Sequence, residues 1–559
     1  MATQRLLGNE DGTVSSAQSK SNSAQPTVRR LIVYTLLFAL VVIGAIGLSG
    51  LLGRLLGAST ELAAGDLAGL ARSLAFTLVG GPFAAVLWWV VWRRTDDDGE
   101  RSSLGRGLYL AGMSAVSLIT FSTALLITAS SLVVGDWRPR DLSTGLVWAG
   151  VWAWQRWMRR HAPMSPTRLA HVPTVVGYLF GLVLGVGGTV TALGGLLDAA
   201  IRGFAGQTTV GEPWWRFTLQ ALVWAIGGVA IWWWHWIHDD GRHLRTRLAD
   251  VALICFGVLG GSVLTLGGAG VIVFVSLRLG FDRTDPISQL LDPLAPAIAA
   301  AAIGSLVWSY HWRIAHRRSD ATLHATRLVT SGVALVATAS GIGVIVNSLL
   351  ATVTTAVAGF DPRTLLLAGI SSLVVGGPVW WQVWKPAAPA EPARIGSTGR
   401  RVTLIAVFGL SAVVALITLL VIGYRVFEFV LDNVTGEGLV NRIRAPLGLL
   451  VATGLVAGYH FSVWRRDRLA MAAAAPVRSK TIGQVILVTA SNPESQMQVI
   501  DEVTGASVTV WMRTDIDARS PADGPNDDQL ARALDGVTGK RVLVVTGPGE
   551  RVDVIPLAG

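Results

Sequence analysis

The feature that most constrains the fold of this chain is a series of long apolar blocks separated by short polar segments. Blocks of about 20 to 28 residues are long enough, at 1.5 Å per residue, to cross a hydrocarbon core of about 30 Å. Only 15% of the residues are charged, against roughly 25% in soluble domains. The sequence therefore predicts an all-α polytopic membrane bundle of about twelve transmembrane helices.

The chain before the bundle is polar. Residues 1–28 have little apolar content and no periodicity, which is typical of a disordered tail. The first apolar block, residues 31–52, exceeds the roughly 7–15-residue apolar region of a cleaved signal peptide. We therefore expect it to be retained as the first span.

Basic residues gather in every second loop, for example Arg93, Arg94, Arg101 and Arg106 in the first of them. Because cytoplasmic loops carry an excess of Arg and Lys, these loops and both chain ends are expected on the cytoplasmic side of a bacterial plasma membrane. The net charge is +10, yet residues 480–559 hold seven basic against eleven acidic groups. Topology explains this distribution, so no nucleic-acid partner is expected.

A short pattern recurs at the end of every second apolar block: an aromatic residue or His, two further residues, then Val or His followed by Trp. The six copies are Trp88-Val91-Trp92, Trp148-Val151-Trp152, Trp232-His235-Trp236, Trp308-His311-Trp312, Trp380-Val383-Trp384 and His460-Val463-Trp464. Six copies in one register indicate duplication. The membrane domain, residues 29–470, is thus predicted to be six tandem helical hairpins, at 29–98, 99–163, 164–243, 244–319, 320–394 and 395–470.

With this pattern the chain resembles the bacterial membrane family called domain of unknown function 5671. That family has a basic residue at the start of the first helix and a second helix ending in Gly-x-Pro-x-Trp-x-x-His-Trp and basic residues. Residues 376–385 and 304–313 match it best, and the resemblance extends from Arg29 to Arg468. It implies the hairpin architecture and no assigned activity.

The last Trp of each pattern is predicted to be an interfacial anchor in contact with membrane lipids, because amphipathic rings favour the headgroup zone. These anchors are Trp92, Trp152, Trp236, Trp312, Trp384 and Trp464. The alternative is that the rings line an aromatic conduit.

A few polar residues are weak site candidates. His235, His311 and His460 recur in the pattern, where haem or metal ligation competes with anchoring beside Trp. Arg425 and Glu428 stand one helical turn apart near an outer helix end, and a surface ion pair competes with a gating or binding site. No catalytic set of residues is recognisable, and neither a cofactor nor a metal is expected.

A small cytoplasmic α/β domain is predicted at residues 481–559, after a linker at 471–480. Strands are expected at 485–489 and 507–512, helices from 493 and over 527–534, and a closing hairpin at 541–545 and 551–555. This domain is either a sensor or partner-docking module or a packing cap.

Two functions remain open from the sequence. The first is a non-enzymatic membrane scaffold or sensor whose cytoplasmic domain docks a protein partner, since midplane charges and catalytic residues are missing. The alternative is a transporter or channel for an apolar or amphiphilic solute, since the repeated Gly-rich helices could rearrange. A lipid-modifying enzyme ranks third, because no residue points to one.

Overall fold

The computed structural model describes residues 11–58, 67–93, 99, 102–161, 164–204, 213–353, 362–384, 398–431, 438–474, 482–490, 493–513, 526–547 and 551–557. Within these ranges, twelve long helices precede a small sheet. They are α1 Asp11–Gly57, α2 Leu67–Trp92, α3 Leu104–Val133, α4 Pro139–Arg160, α5 Val172–Phe204, α6 Trp214–His238, α7 Arg247–Phe281, α8 Leu294–His316, α9 Asp320–Ala351, α10 Pro362–Trp384, α11 Thr398–Leu431 and α12 Leu439–Ala474.

One predicted boundary segment differs from this description, and most of another lies outside it. Helix α1 begins at Asp11, inside the stretch 1–28 that was predicted to be a disordered tail. Residues 1–10 and 475–480, the latter most of the predicted linker, lie outside the described residues.

Eleven of the described helices are long and apolar enough to cross a membrane, which supports a multi-pass membrane protein. Helix α4 is the exception. Its stretch without charges runs from 142 to 155, between Asp141 and Arg156. At 1.5 Å per residue this stretch is about 21 Å long, shorter than a hydrocarbon core of about 30 Å. A twelfth crossing therefore stays a prediction.

The helices pack in a regular scheme. From α1 to α10, each odd-numbered helix lies against the even-numbered helix that follows it. Each also lies against the even-numbered helix of the next pair: α1 with α4, α3 with α6, α5 with α8 and α7 with α10. In the last pair, Gly343 of α9 meets Gly448 of α12 backbone to backbone. The odd-numbered helices from α1 to α9 are thus each held between two even-numbered ones.

Glycines set the close approach of α5 and α6. A side chain at Gly228 would overlap the backbone of Gly185, and one at Gly181 would overlap the backbone of Trp232. Small residues at helical spacing let two backbones meet, and such packing helps to drive association in lipid. The Gly-rich blocks of the sequence therefore mark the odd-numbered helices as packing elements.

Within the described residues, three helices contain π turns, at Phe76–Gly80 in α2, Trp234–His238 in α6 and Leu253–Gly260 in α7. The first ends two residues before Pro82, whose backbone nitrogen carries no hydrogen to donate. The second contains the pattern residues His235 and Trp236. A π turn inserts one residue into the helix and changes which side chains face the neighbouring helix.

The C-terminal residues form a four-stranded sheet with two helices. Its elements are β1 Ile482–Thr489, α13 Pro493–Thr504, β2 Ser507–Met512, α14 Asp527–Leu534, β3 Gly539–Thr546 and β4 Val552–Leu557. The strand order is β2-β1-β3-β4, with β1 parallel to both neighbours and β3 antiparallel to β4. Side chains including Leu487, Ile500 and Val544 fill the core between sheet and helices. The predicted strands, helices and closing hairpin are all present.

Candidate functional site at the Trp and His pattern

The three pattern histidines share one geometry. The Nδ1 atoms of His235, His311 and His460 lie 2.9, 2.8 and 2.8 Å from the carbonyl oxygen four residues earlier in their own helix. The rings are only 3, 2 and 2% exposed. Each Nδ1–H therefore donates within its helix, and the Nε2 atom is left as the acceptor.

Two of these rings lie directly on a glycine of the preceding helix. A Cβ atom at Gly177 would overlap the His235 ring, and one at Gly257 would overlap the His311 ring. A haem macrocycle needs open space beside its axial ligand, and here helix backbone takes that space. The described residues also contain no group of three or more His, Cys, Asp or Glu side chains placed to hold a metal ion. The geometry supports packing as the role of these histidines.

The pattern tryptophans differ in exposure. Trp92 is 40% exposed, whereas Trp236 and Trp384 are 0 and 7% exposed. Partial burial is found for the remaining three, Trp152, Trp312 and Trp464. Trp236 and Trp384 have almost no surface left for lipid, so anchoring stays a prediction that the other four can still satisfy.

The two buried indoles each bond to a tyrosine of the next hairpin. Trp236 Nε1 donates to the Tyr310 hydroxyl at 2.7 Å, and Trp384 Nε1 donates to the Tyr459 hydroxyl at 2.8 Å. We call these two contacts the Tyr links. The sequence reasoning did not single out either tyrosine. The signal was present, because each directly precedes a pattern histidine.

The surroundings of the Tyr links are alike. Tyr310 meets Trp232 edge-on at 6.0 Å and 72°, and Tyr459 meets Trp380 edge-on at 5.3 Å and 72°. Such edge-to-face pairs add about 0.5–1.5 kcal/mol beyond the area that they bury. Helices α6 and α8 are therefore joined in the same way as α10 and α12.

A largely buried ion pair joins α4 to the segment after α6. Both terminal nitrogens of Arg156 bind the Asp239 carboxylate, at 2.9 and 2.7 Å. The guanidinium also lies over the Trp152 and Trp234 rings, at 5.4 and 5.0 Å. Burial alone would raise the pKa of Asp239, but the hydrogen bonds and charge of Arg156 outweigh it and hold that pKa below its usual value.

A second ion pair lies on the next helices. Arg318, whose side chain is 6% exposed, binds Asp250 at 2.5 Å and reaches the Arg242 carbonyl oxygen at 3.4 Å. The partners of these two pairs are 83 and 68 positions apart in the chain, so their pairing could not be predicted from one sequence. The pair of Arg156 with Asp239 joins neighbouring hairpins, whereas the pair of Arg318 with Asp250 joins the two helices of one hairpin and reaches the preceding hairpin through the Arg242 carbonyl oxygen.

At the other end of the helices, Arg425 Nη1 lies 3.0 Å from Glu428 Oε2, the i,i+3 pair that the sequence suggested. Arg442 approaches the same carboxylate oxygen at 3.8 Å, and the Tyr424 hydroxyl donates to the other at 3.2 Å. The Arg425 side chain is 46% exposed. This arrangement supports a surface ion pair.

Comparison with known proteins adds one match. The model of a family described as a domain of unknown function, DUF5671, matches residues 30–154 and again residues 324–455. The first match runs from α1 into α4 and the second from α9 into α12, so each covers two hairpins. Neither a curated protein nor a solved structure matches the chain. The resemblance seen in the sequence is confirmed over these two stretches. Residues 155–323, which include the segment 304–313, lie outside the match.

Proposed function

We propose that this protein is a non-enzymatic scaffold or sensor of the bacterial plasma membrane that presents its C-terminal α/β domain in the cytoplasm to a protein partner. The observation that carries this proposal is the second face of the sheet, opposite the core. Val485 and Leu487 are fully buried in the core, so strand alternation places Ile486 and Val488 on the second face.

The second face is apolar at its centre, with Thr509 and Asp553 as polar members on the edge strands, and it carries exposed apolar side chains. Strand pairing puts Trp511 beside Val488, and Ile555 beside Leu543, which itself lies beside Ile486. Trp511 is 61% exposed and Ile555 is 47% exposed. A contiguous apolar surface with an exposed Trp is the composition that protein interfaces favour.

The proposal has twelve spans, including α4, in six tandem hairpins with both chain ends in the cytoplasm. It also treats α5–α8, which the family model leaves unmatched, as a third and diverged copy of the two-hairpin unit. Support comes from the Tyr links, since Trp236 and Tyr310 repeat the contact of Trp384 with Tyr459. The proposal includes no catalytic reaction and no nucleic-acid partner.

The test is capture of partners from native membranes with the full chain and with variants. Trp511→Ser removes the exposed ring of the second face. Val503→Ser is the matched control, because Val503 is a 41% exposed apolar residue on α13. We expect a partner that binds the full chain and the control but is lost with Trp511→Ser and with deletion of residues 482–557. An identical set of bound proteins in all four samples would contradict the proposal.

A second candidate function is passage of an apolar solute, which one groove favours. A groove of about 820 Å³ lies between α7, α9 and α10, within the roughly 300–1,000 Å³ of small-molecule sites. Two serine hydroxyls line it, and both donate to backbone carbonyls, Ser371 to Ala368 and Ser372 to Ala337. Gly267 and Gly332 line it with no atom near the position of a Cβ. The groove therefore suits hydrocarbon.

Filling the groove separates the two functions. Gly332→Leu starts a side chain in the groove, because no atom lies within 4 Å of a Cβ at this position, and Gly409→Leu is the control because its Cβ position is equally open. The measurement is release of an apolar fluorescent dye from proteoliposomes. If the protein transports apolar solutes, the full chain and the control should release the dye, and Gly332→Leu should not. The scaffold requires no release above empty liposomes in any sample.

A further inference from the structure

A small cavity lies among α1, α2, α3 and α4, beside the ends of α2 and α4. Its lining includes Tyr34, Trp88, Trp92, Arg106, Tyr109 and Met164, and its volume is about 20 Å³. A space of about 10–15 Å³ already holds one water-sized group. The cavity therefore admits a single oxygen atom of a larger ligand and not a whole headgroup.

Arg106 has an incomplete set of partners in this cavity. The residue is only 5% exposed, and its Nη2 donates to the Met164 carbonyl oxygen at 2.6 Å. Its Nη1 is buried without a hydrogen-bond partner. Across the described residues, no carboxylate forms a salt bridge with this guanidinium.

The buried guanidinium of Arg106 would be stabilised by a negatively charged partner. An arginine stays protonated in proteins, so burial cannot neutralise it. A buried charge without a partner is strongly destabilising. Arg106 also lies in the first turn of α3, after the N-cap Ser103, where the helix dipole is positive and favours an anion. A water molecule would satisfy Nη1 but would leave the charge uncompensated.

We propose that the cavity is a phosphate-oxygen site, in which Nη1–H of Arg106 donates to one anionic oxygen while the remainder of the phosphate group lies outside. The tryptophans that line the cavity are typical of headgroup depth, where phospholipids present such oxygens. A phospholipid headgroup and free inorganic phosphate offer the same chemistry. The experiment separates these two sources.

In the lipid arm, the full chain is reconstituted with phosphatidylglycerol or with diacylglycerol of the same acyl chains, and bound lipid is counted by native mass spectrometry. Arg106→Gln should weaken retention of phosphatidylglycerol about tenfold or more, as expected for a hydrogen bond to a charged group. Arg93→Gln is the matched control, because Arg93 is an exposed arginine at the end of α2. Retention of diacylglycerol should be low and equal in all samples.

In the phosphate arm, thermal unfolding is followed in delipidated detergent solution with and without inorganic phosphate. Stabilisation of the wild type and Arg93→Gln, but not Arg106→Gln, assigns the site to free phosphate; a difference in the lipid arm alone assigns it to the headgroup. Val91→Leu fills the cavity while keeping Arg106, and it decides the question if Arg106→Gln does not fold. Equal behaviour of wild type, Arg106→Gln and Val91→Leu in both arms would overturn the proposal.

Discussion

At the scale of single residues, the position directly before the last Trp of each pattern copy, which holds His or Val, is a packing position. His311 satisfies its Nδ1–H within its own helix and lies on Gly257. In other copies the same place holds Val, as at Val383 beside Trp384. A side chain that Val can replace fills space, and it need not bind a ligand.

The contact of Gly257 with His311 gives the first prediction. Gly257→Ala should destabilise the protein by about 1–3 kcal/mol, because the new methyl group overlaps a buried ring that cannot move freely. Gly267→Ala in the same helix is the control. It meets no atom and should gain up to about 1 kcal/mol from helix propensity. Thermal unfolding in detergent measures both.

The same experiment has a rescue. Combining Gly257→Ala with His311→Ala removes the overlapping ring, so the two changes should cost less together than the sum of the single changes. Additive losses would show that the overlap with the histidine ring is not the cause.

The Tyr links give the second prediction. Trp384→Phe should lower stability by about 1 kcal/mol through loss of the hydrogen bond, in addition to any effect of the smaller ring. A double-mutant cycle with Tyr459→Phe isolates that bond as the coupling energy of the pair. Trp464→Phe, at a partly exposed pattern position, is the control. Zero coupling between Trp384 and Tyr459 would contradict the assigned contact.

Side-chain contacts could be predicted from the sequence where the two residues are close along the chain, and not where they are far apart. Arg425 and Glu428 could be paired because one helical turn separates them. Arg156 and Asp239 are 83 residues apart, and Trp384 and Tyr459 are 75 apart, so no spacing rule connects them. Arg106 was assigned to a loop with its basic neighbours, although it lies buried in the first turn of α3.

At the scale of elements, the ends of α4 and α6 are held together by the ion pair of Arg156 and Asp239. Its side chains are only 10 and 13% exposed, so its electrostatic energy is less screened than that of a surface pair. Arg156 marks the end of the charge-free part of α4. Arg156, a charged residue near the end of α4, therefore has Asp239 as its partner.

This pair gives the third prediction, a loss of stability in acid. The pKa of Asp239 is lower in the folded protein than in the unfolded chain. The contribution of the pair is therefore complete above the unfolded pKa of about 4 and is lost as the pH falls through the folded pKa. The melting temperature should fall from about pH 5 downwards, and Asp239→Asn should remove this component.

At neutral pH, Asp239→Asn should itself cost about 3 kcal/mol, because it leaves the Arg156 charge largely buried without its carboxylate. The control is Asp198→Asn, since Asp198 pairs with Arg202 on the surface, with side chains 37 and 43% exposed. This change should stay within about 1 kcal/mol. The same acid profile for Asp239→Asn and wild type would contradict the assignment.

Secondary structure was predictable where the signal is local. Strands β1 to β4 and helices α13 and α14 were anticipated because alternation, caps and turns lie within a few residues of each element. The π turns were not anticipated. They insert one residue into an apolar helix, and composition does not change across them. The turn at Trp234–His238 is the one that matters for the site.

At the scale of the whole molecule, α4 decides the topology. If α4 crosses the membrane, α5 to α12 keep the orientation that the basic loops predict. If it does not, every later loop changes sides. The packing of α4 against α1 and α3 favours a crossing, because both neighbours are apolar spans.

Labelling on the two sides of α4 gives the fourth prediction. In a Cys255→Ser background, Asp136→Cys and His161→Cys place single thiols at exposed positions before and after the helix. A membrane-impermeant maleimide should label Asp136→Cys on intact cells and His161→Cys only after permeabilisation. Labelling of both positions under the same condition would mean eleven spans, with opposite sides for the two chain ends.

The packing scheme also sets an order of assembly during synthesis. The main contacts between hairpins join an even-numbered helix to the odd-numbered helix three places earlier, as for α4 with α1 and α8 with α5. Each hairpin that leaves the translocation machinery therefore finds its docking surface already in the bilayer. The protein can therefore fold stepwise from its N-terminus, one hairpin at a time, as repeat proteins do. A nascent chain stalled after α8 would therefore already hold four hairpins that pack against one another, before its last four helices exist.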